Sequence, residues 1–114
     1  MKYLAVLTIC FSTLSLAQAG SLADSDQSAV LSSERQAELS HLLRHDCGSC
    51  HGMTLKGGLG PALTPDVLSN KPEEYLFHVI SYGLQGTPMP PWQGILSDDD
   101  IRWLVDALKE GVDS

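Results

Sequence analysis

Basic side chains are scarce in this sequence: seven Lys and Arg stand against fourteen Asp and Glu, a formal net charge of −7 with His neutral. So few cations cannot gather the phosphate or lipid headgroup contacts that nucleic-acid and anionic-membrane binding require. Long apolar runs are missing too. Leu4–Leu16 spans thirteen residues, short of the roughly 20 that carry a helix across a bilayer. Length is also in short supply, since 114 residues make one small domain and exclude a multidomain enzyme. No internal repeat, low-complexity tract or convincing strand pattern is present.

What is present begins with Lys2, the apolar run, and Ala17-Gln18-Ala19. This order of charge, apolar stretch and small residues reads as a cleavable export signal over residues 1–19, with the mature chain starting at Gly20. A lipid anchor at Cys10 is disfavoured, because Ile9 is bulky where such signals need a small residue and the cut would bisect the apolar run. Loss of Lys2 leaves six basic against fourteen acidic residues, a net charge of −8. A mature chain of this size buries only roughly 60–65% of its unfolded surface, so a cofactor would add usefully to its core.

Residues 20–32 are small, polar and acidic without periodicity, and read as a flexible lead. Ser33-Glu34-Arg35-Gln36 fits a capping box, and Ala37, Leu39, Leu42 and Leu43 form a rough apolar face, which predicts a helix from Ser33 to about Asp46. The glycines between Gly52 and Gly60, with Pro61, make 52–63 a loop. Thr64-Pro65 opens a short turn, and Pro72 with Glu73 and Glu74 starts a helix that Tyr82 and Gly83 close. Pro88, Pro90 and Pro91 make Gly83–Leu96 a stiffened loop. The last helix is capped by Ser97, carries Asp98, Asp99 and Asp100 in its positive first turn, and repeats apolar residues at Ile101, Leu104, Val105 and Leu108 before Gly111. The three aspartates read as capping rather than metal binding, as no other clustered ligands follow them. The fold class is therefore all-α over residues 33–114, with Leu39 and Leu43 expected against Leu104 and Leu108.

Chemistry concentrates in Cys47-Gly48-Ser49-Cys50-His51. Two thiols three residues apart on one turn can add to the two vinyl groups of a haem, and the next imidazole then falls beneath the iron. A redox dithiol, a zinc site and a short structural disulfide are the alternatives. The first lacks its usual βαβ setting, the second lacks a fourth ligand at a paired spacing, and the third closes too short a loop to stabilise much. Haem is the preferred reading, with zinc and dithiol left behind it.

The helix ending in Cys47–His51, the Gly60-Pro61 pair, the Pro-flanked Met89 and the closing amphipathic helix occur in an order that resembles class I c-type cytochromes. The likeness covers about Leu39 to Leu108. It implies a class I cytochrome c fold, its helices wrapped around one covalently attached haem c per chain. It also makes His51 and Met89 the axial ligands of the iron, with the Pro61 carbonyl accepting the His51 ring N–H. A narrower likeness lies in the run from Asp46 to Pro65 and in Thr87-Pro88-Met89-Pro90-Pro91-Trp92, which is similar to the small NirC-type monohaem cytochromes of denitrification gene clusters. That family implies a periplasmic electron donor to a cytochrome cd-type nitrite reductase. An accessory role in maturing the reductase and a shuttle to another oxidoreductase are the alternatives. An acidic carrier calls for a partner with a basic docking face.

Elimination also points to Met89, because Met53 follows His51 by two residues, a reach of at most about 7 Å that hardly lets the chain cross the ring plane. His78 is the competing ligand, read first as a surface or satisfied core histidine. Tyr75 and Trp92 are equally suited to lining the haem and to plain packing. Trp103 lies off the apolar stripe and is expected to be partly buried.

Overall fold

The computed structural model describes residues 30–112. The export signal at 1–19, residues 20–29 of the lead, and the last two residues lie outside that range. Among the described residues there are helices and no strands, so the domain is all-α.

Helix α1 spans Ser33–Leu42. Its cap is Ser32, whose hydroxyl accepts from the Arg35 N–H at 3.2 Å, and the box expected from Ser33 to Gln36 does not form. Leu31 packs against the core and its carbonyl accepts from Gln36 Nε2 at 2.8 Å, so the chain enters the helix one residue earlier. The end of the lead, at Leu31 and Ser32, is thus tied to the domain. The helix also runs further than Asp46. It continues as a π-helical turn over Leu43–Cys47 and a closing turn, α2, over Gly48–His51. Gly52, at φ +88°, then breaks it, a backbone state that side chains with a Cβ rarely adopt.

Helix α3 is the short Pro65–Leu68 turn behind Thr64. Helix α4, Glu73–Tyr82, follows Pro72 and stops at Gly83, where φ is +72°. Helix α5, Asp98–Glu110, has a complete capping box: Asp100 N–H donates to Ser97 Oγ, and Ser97 N–H donates back to the Asp100 carboxylate. Gly111 follows α5.

The core gathers where α1 and its π turn meet α5. Leu39, Leu43, Ile101, Leu104 and Leu108 are all at most 4% exposed, so the expected crossing of the terminal helices is present. Ala37 is exposed and Leu42 half-buried, which narrows the predicted face of α1. Leu68 of α3 and Leu76 of α4 join the same cluster. Trp103 is half-buried against it, as its position off the stripe suggested.

Asp100 has a second task that capping alone did not reveal. Arg35 grips it with two hydrogen bonds, Nε to Oδ1 at 2.9 Å and Nη2 to Oδ2 at 2.8 Å, pinning the start of α1 to the start of α5. The carboxylate is 7% exposed, a setting in which a bidentate charge-assisted pair is strong and an unpaired charge is costly. Arg35 and the Ser97 donors hold the Asp100 carboxyl well below its ordinary value, and the Asp100 and Glu38 carboxylates raise Arg35.

Leu104→Ala should cost about 2–5 kcal/mol, read as a lower denaturation midpoint; an unchanged midpoint would show that the stripe is not the core. The lowered Asp100 value implies stability that is fully present above the ordinary carboxylate range and lost as pH falls through that range and below it. Asp100→Asn should cost about 1.5–3 kcal/mol at neutral pH and lessen the decline of urea stability below about pH 4. Parallel curves for parent and variant would deny the pair this role.

Candidate functional site

The uninterrupted run of helix from Ser33 to His51 presents both thiols on its last turns. Cys47 is half-buried, and burial, aided by the neighbouring Asp46 carboxylate, pushes its thiol up to about 11. Cys50 is exposed, and the two are not joined as a disulfide. Ser49 donates from Oγ to the Asp46 carbonyl at 2.6 Å and so steadies the turn between them.

His51 closes the helix. Its Nδ1 lies 2.7 Å from the carbonyl oxygen of Pro61. A carbonyl can only accept, so Nδ1 carries the hydrogen and Nε2 is left with its lone pair. The ring rests on Gly60, where an added Cβ would come within 2.8 Å of two ring atoms. Backbone contacts keep this loop folded over the helix end: Gly57 N–H donates to the His51 carbonyl and Gly60 N–H to the Cys50 carbonyl, both at 2.8 Å. Leu55 holds φ +55° within the loop; its buried side chain and its carbonyl, which accepts from Leu63 N–H at 2.8 Å, offset that strain.

Met89 comes from a different part of the chain and is half-buried. Its loop is fastened to the end of α4. Leu84 N–H donates to the Met89 carbonyl at 3.3 Å, Trp92 N–H to Ile80 at 3.0 Å and Gln93 N–H to Ser81 at 3.2 Å. Thr87 links the two sides of the loop, donating from Oγ1 to Leu84 at 2.7 Å and accepting from Met89 N–H at 3.3 Å. Gly83 makes the closure possible, since a Cβ there would stand 2.6 Å from the Met89 carbonyl oxygen.

An open cavity of about 580 Å³ lies beside this loop, lined by His78, Tyr82, Met89 and residues from Gly83 to Thr87. His78 and Met89 therefore share one space, with the His78 ring 4.6 Å from that of Tyr82. Met53 is exposed, and Tyr75 is exposed and absent from the cavity lining. Trp92 packs on the core. Among the described residues no group of three or more His, Cys, Asp and Glu is arranged to hold a metal ion.

The structure thus brings Cys47, Cys50, His51 and Pro61 together on the helix end and presents Met89 from the second loop. Sequence reasoning missed the π turn, for which composition carries no signal. It also missed Gly83 as a packing residue, having read it only as a helix stop. Charge is partitioned sharply. Between Cys47 and Thr64 the single charged side chain is Lys56, and between Gly83 and Ser97 there is none.

The chain matches the family model described as cytochrome c oxidase, cbb3-type, subunit III, over residues 34–106. It is similar to a solved structure of the c-type cytochrome NirC, at 58% identity and a TM-score of 0.70, covering 72% of this chain and 96% of that one. The chain belongs to the NirC-like c-type cytochromes. A cytochrome c55X of Pseudomonas aeruginosa is 62% identical over 77 residues, 68% of this chain and 65% of that protein, so the match spans just under two thirds of that relative. Cytochrome c55X of Stutzerimonas stutzeri is 52% identical over 83 residues, 73% of this chain and 74% of its own. The solved dihydro-heme d1 dehydrogenase NirN, in complex with DHE, is 36% identical with a TM-score of 0.57, over 60% of this chain and 15% of that one.

As a c-type cytochrome the chain carries covalently attached haem, and membership implies electron transfer. Its residues fit that cofactor: two free thiols on one helical turn, an imidazole whose tautomer leaves Nε2 as the lone pair, and a glycine seat that holds the ring in place. No helix among the described residues is long and apolar enough to cross a membrane.

Proposed function

We propose that this chain is an exported, periplasmic one-electron carrier that donates to a cytochrome cd-type nitrite reductase in denitrification. In this reading Cys47 and Cys50 would hold the haem, and His51 and Met89 would ligate its iron. The observation that carries it is the 2.7 Å contact from His51 Nδ1 to the Pro61 carbonyl, which fixes the imidazole's tautomer and orientation with Nε2 ready to ligate iron.

Cys47 and Cys50 would hold the haem by addition of each thiol across one of its vinyl groups, the S–H hydrogen passing to the adjoining carbon, so that neither an oxidant nor a leaving group is needed. The bound haem supplies a single reversible electron between its ferrous and ferric forms. Met89 contributes a neutral, polarizable thioether, which favours the ferrous form over a second imidazole and raises the potential. The prolines on either side of Met89 lessen the entropy lost in presenting it. With His51 and Met89 both committed to the iron, the chain would offer a substrate no binding position there.

Partner encounter follows from charge. The acidic side chains lie outside the two site loops, so the body of the mature chain attracts a partner's basic face from a distance while the nearly uncharged loops meet it. The similarity to NirC supports the nitrite reductase system. A second reading, redox service in maturing the reductase, draws on the likeness to NirN; a shuttle to another oxidoreductase is a third. Reductase purified from a strain lacking this protein separates the first two: full d-type haem with slow reduction marks a donor, and missing d-type haem marks an assembly factor.

On a denaturing gel stained for haem, the Cys47→Ala, Cys50→Ala double variant should show none; a stained band would refute thioether attachment. Met89→Ala should lose the weak long-wavelength sulfur-to-iron band of the ferric protein, with His78→Ala unchanged, and the reverse pattern would move the ligand to His78. The second-order rate of electron transfer to the reductase should fall between low and physiological salt. A flat or rising rate would leave only the uncharged loops to guide docking.

A further inference from the structure

Two histidines outside the haem-attachment site face each other on the first helix. His41 stands near the end of α1 and His45 in the π turn, both exposed, with ring centroids 4.1 Å apart and planes tilted by 35°. Residues four apart on an α-helix are neighbours, offset around the axis by about 40°. The π turn closes its hydrogen bonds over five residues, as the Gly48 N–H to Leu43 carbonyl bond records, and its wider turn advances less per residue. His41 and His45 are brought closer to direct overlap, and the two rings lie tilted rather than parallel on an exposed stretch of the helix.

We propose that His41 and His45 form a surface site for one divalent transition-metal ion of the copper, nickel and zinc class. Neutral imidazole is the side chain those ions accept most readily, and Cu(II) binds such nitrogen sites most tightly among them. The helix holds the two rings together in advance, so the second nitrogen meets an ion already bound to the first at high effective concentration. Two protein ligands leave the remaining coordination positions to water or to an incoming side chain. No carboxylate of Asp98–Asp100 is needed, and the site is independent of the haem ligands proposed above.

The test uses untagged ferric holoprotein titrated with Cu(II), followed by calorimetry and by the copper electron paramagnetic resonance signal. One ion should bind per chain with nitrogen ligation. His41→Ala and His45→Ala should each weaken binding by about tenfold or more, while His78→Ala and the haem spectrum stay unchanged. Affinities of His41→Ala and His45→Ala within about twofold of the parent would overturn the site, as would a loss confined to His78→Ala.

Discussion

The crossing of the first and last helices is the constraint on which the rest of this molecule depends. Leu39 and Leu43 are buried in one cluster with Ile101, Leu104 and Leu108, and the Arg35–Asp100 pair fixes the same two helices at their starts. The helix so anchored is the one that ends in Cys47, Cys50 and His51. Positioning the attachment site is therefore a consequence of core packing, because the thiols and imidazole sit on a rigid rod whose other half is locked in the hydrophobic cluster. The loops then need only reach that fixed end, which they do through backbone hydrogen bonds rather than long side chains.

Much of this was legible from residue order. The apolar stripe of α5 stands out because its neighbours are charged, so Ile101, Leu104, Val105 and Leu108 could be placed inward with no structure. The C-x-x-C-H run named its own chemistry, and Gly60-Pro61 found its role through resemblance. Local choices between near-equal residues were harder. Ser32 and Ser33 can both cap, and what decides between them is the burial of Leu31, a tertiary contact that one-dimensional pattern does not contain. The π turn is equally silent in the sequence, since its i→i+5 bond from Gly48 to Leu43 joins two backbone groups that any residues would supply.

The two loops of the site use glycine in different ways. At Gly52 and Gly83 the backbone itself has positive φ, so the choice is conformational. At Gly60 the backbone is ordinary and what matters is the missing side chain, because the His51 ring fills the space a Cβ would take. The first kind can be guessed from helix ends. The second is visible only when the ring is seen lying on it.

The π turn also sets the phase between the buried stripe of α1 and the attachment end. Each residue of an α-helix rotates the following chain by about 100° and advances it about 1.5 Å. The wide turn closes over five residues where an α turn closes over four, so it takes up one residue locally. Forcing the same residues into regular α geometry would turn Cys50 and His51 by most of one residue's rotation, away from Pro61, whereas deleting one residue along with that change would leave them nearly where they are. The short segment thus tolerates one change of length, the loss of its extra residue, and it is the hydrogen-bonding pattern of the turn that keeps the buried stripe and the attachment end in phase.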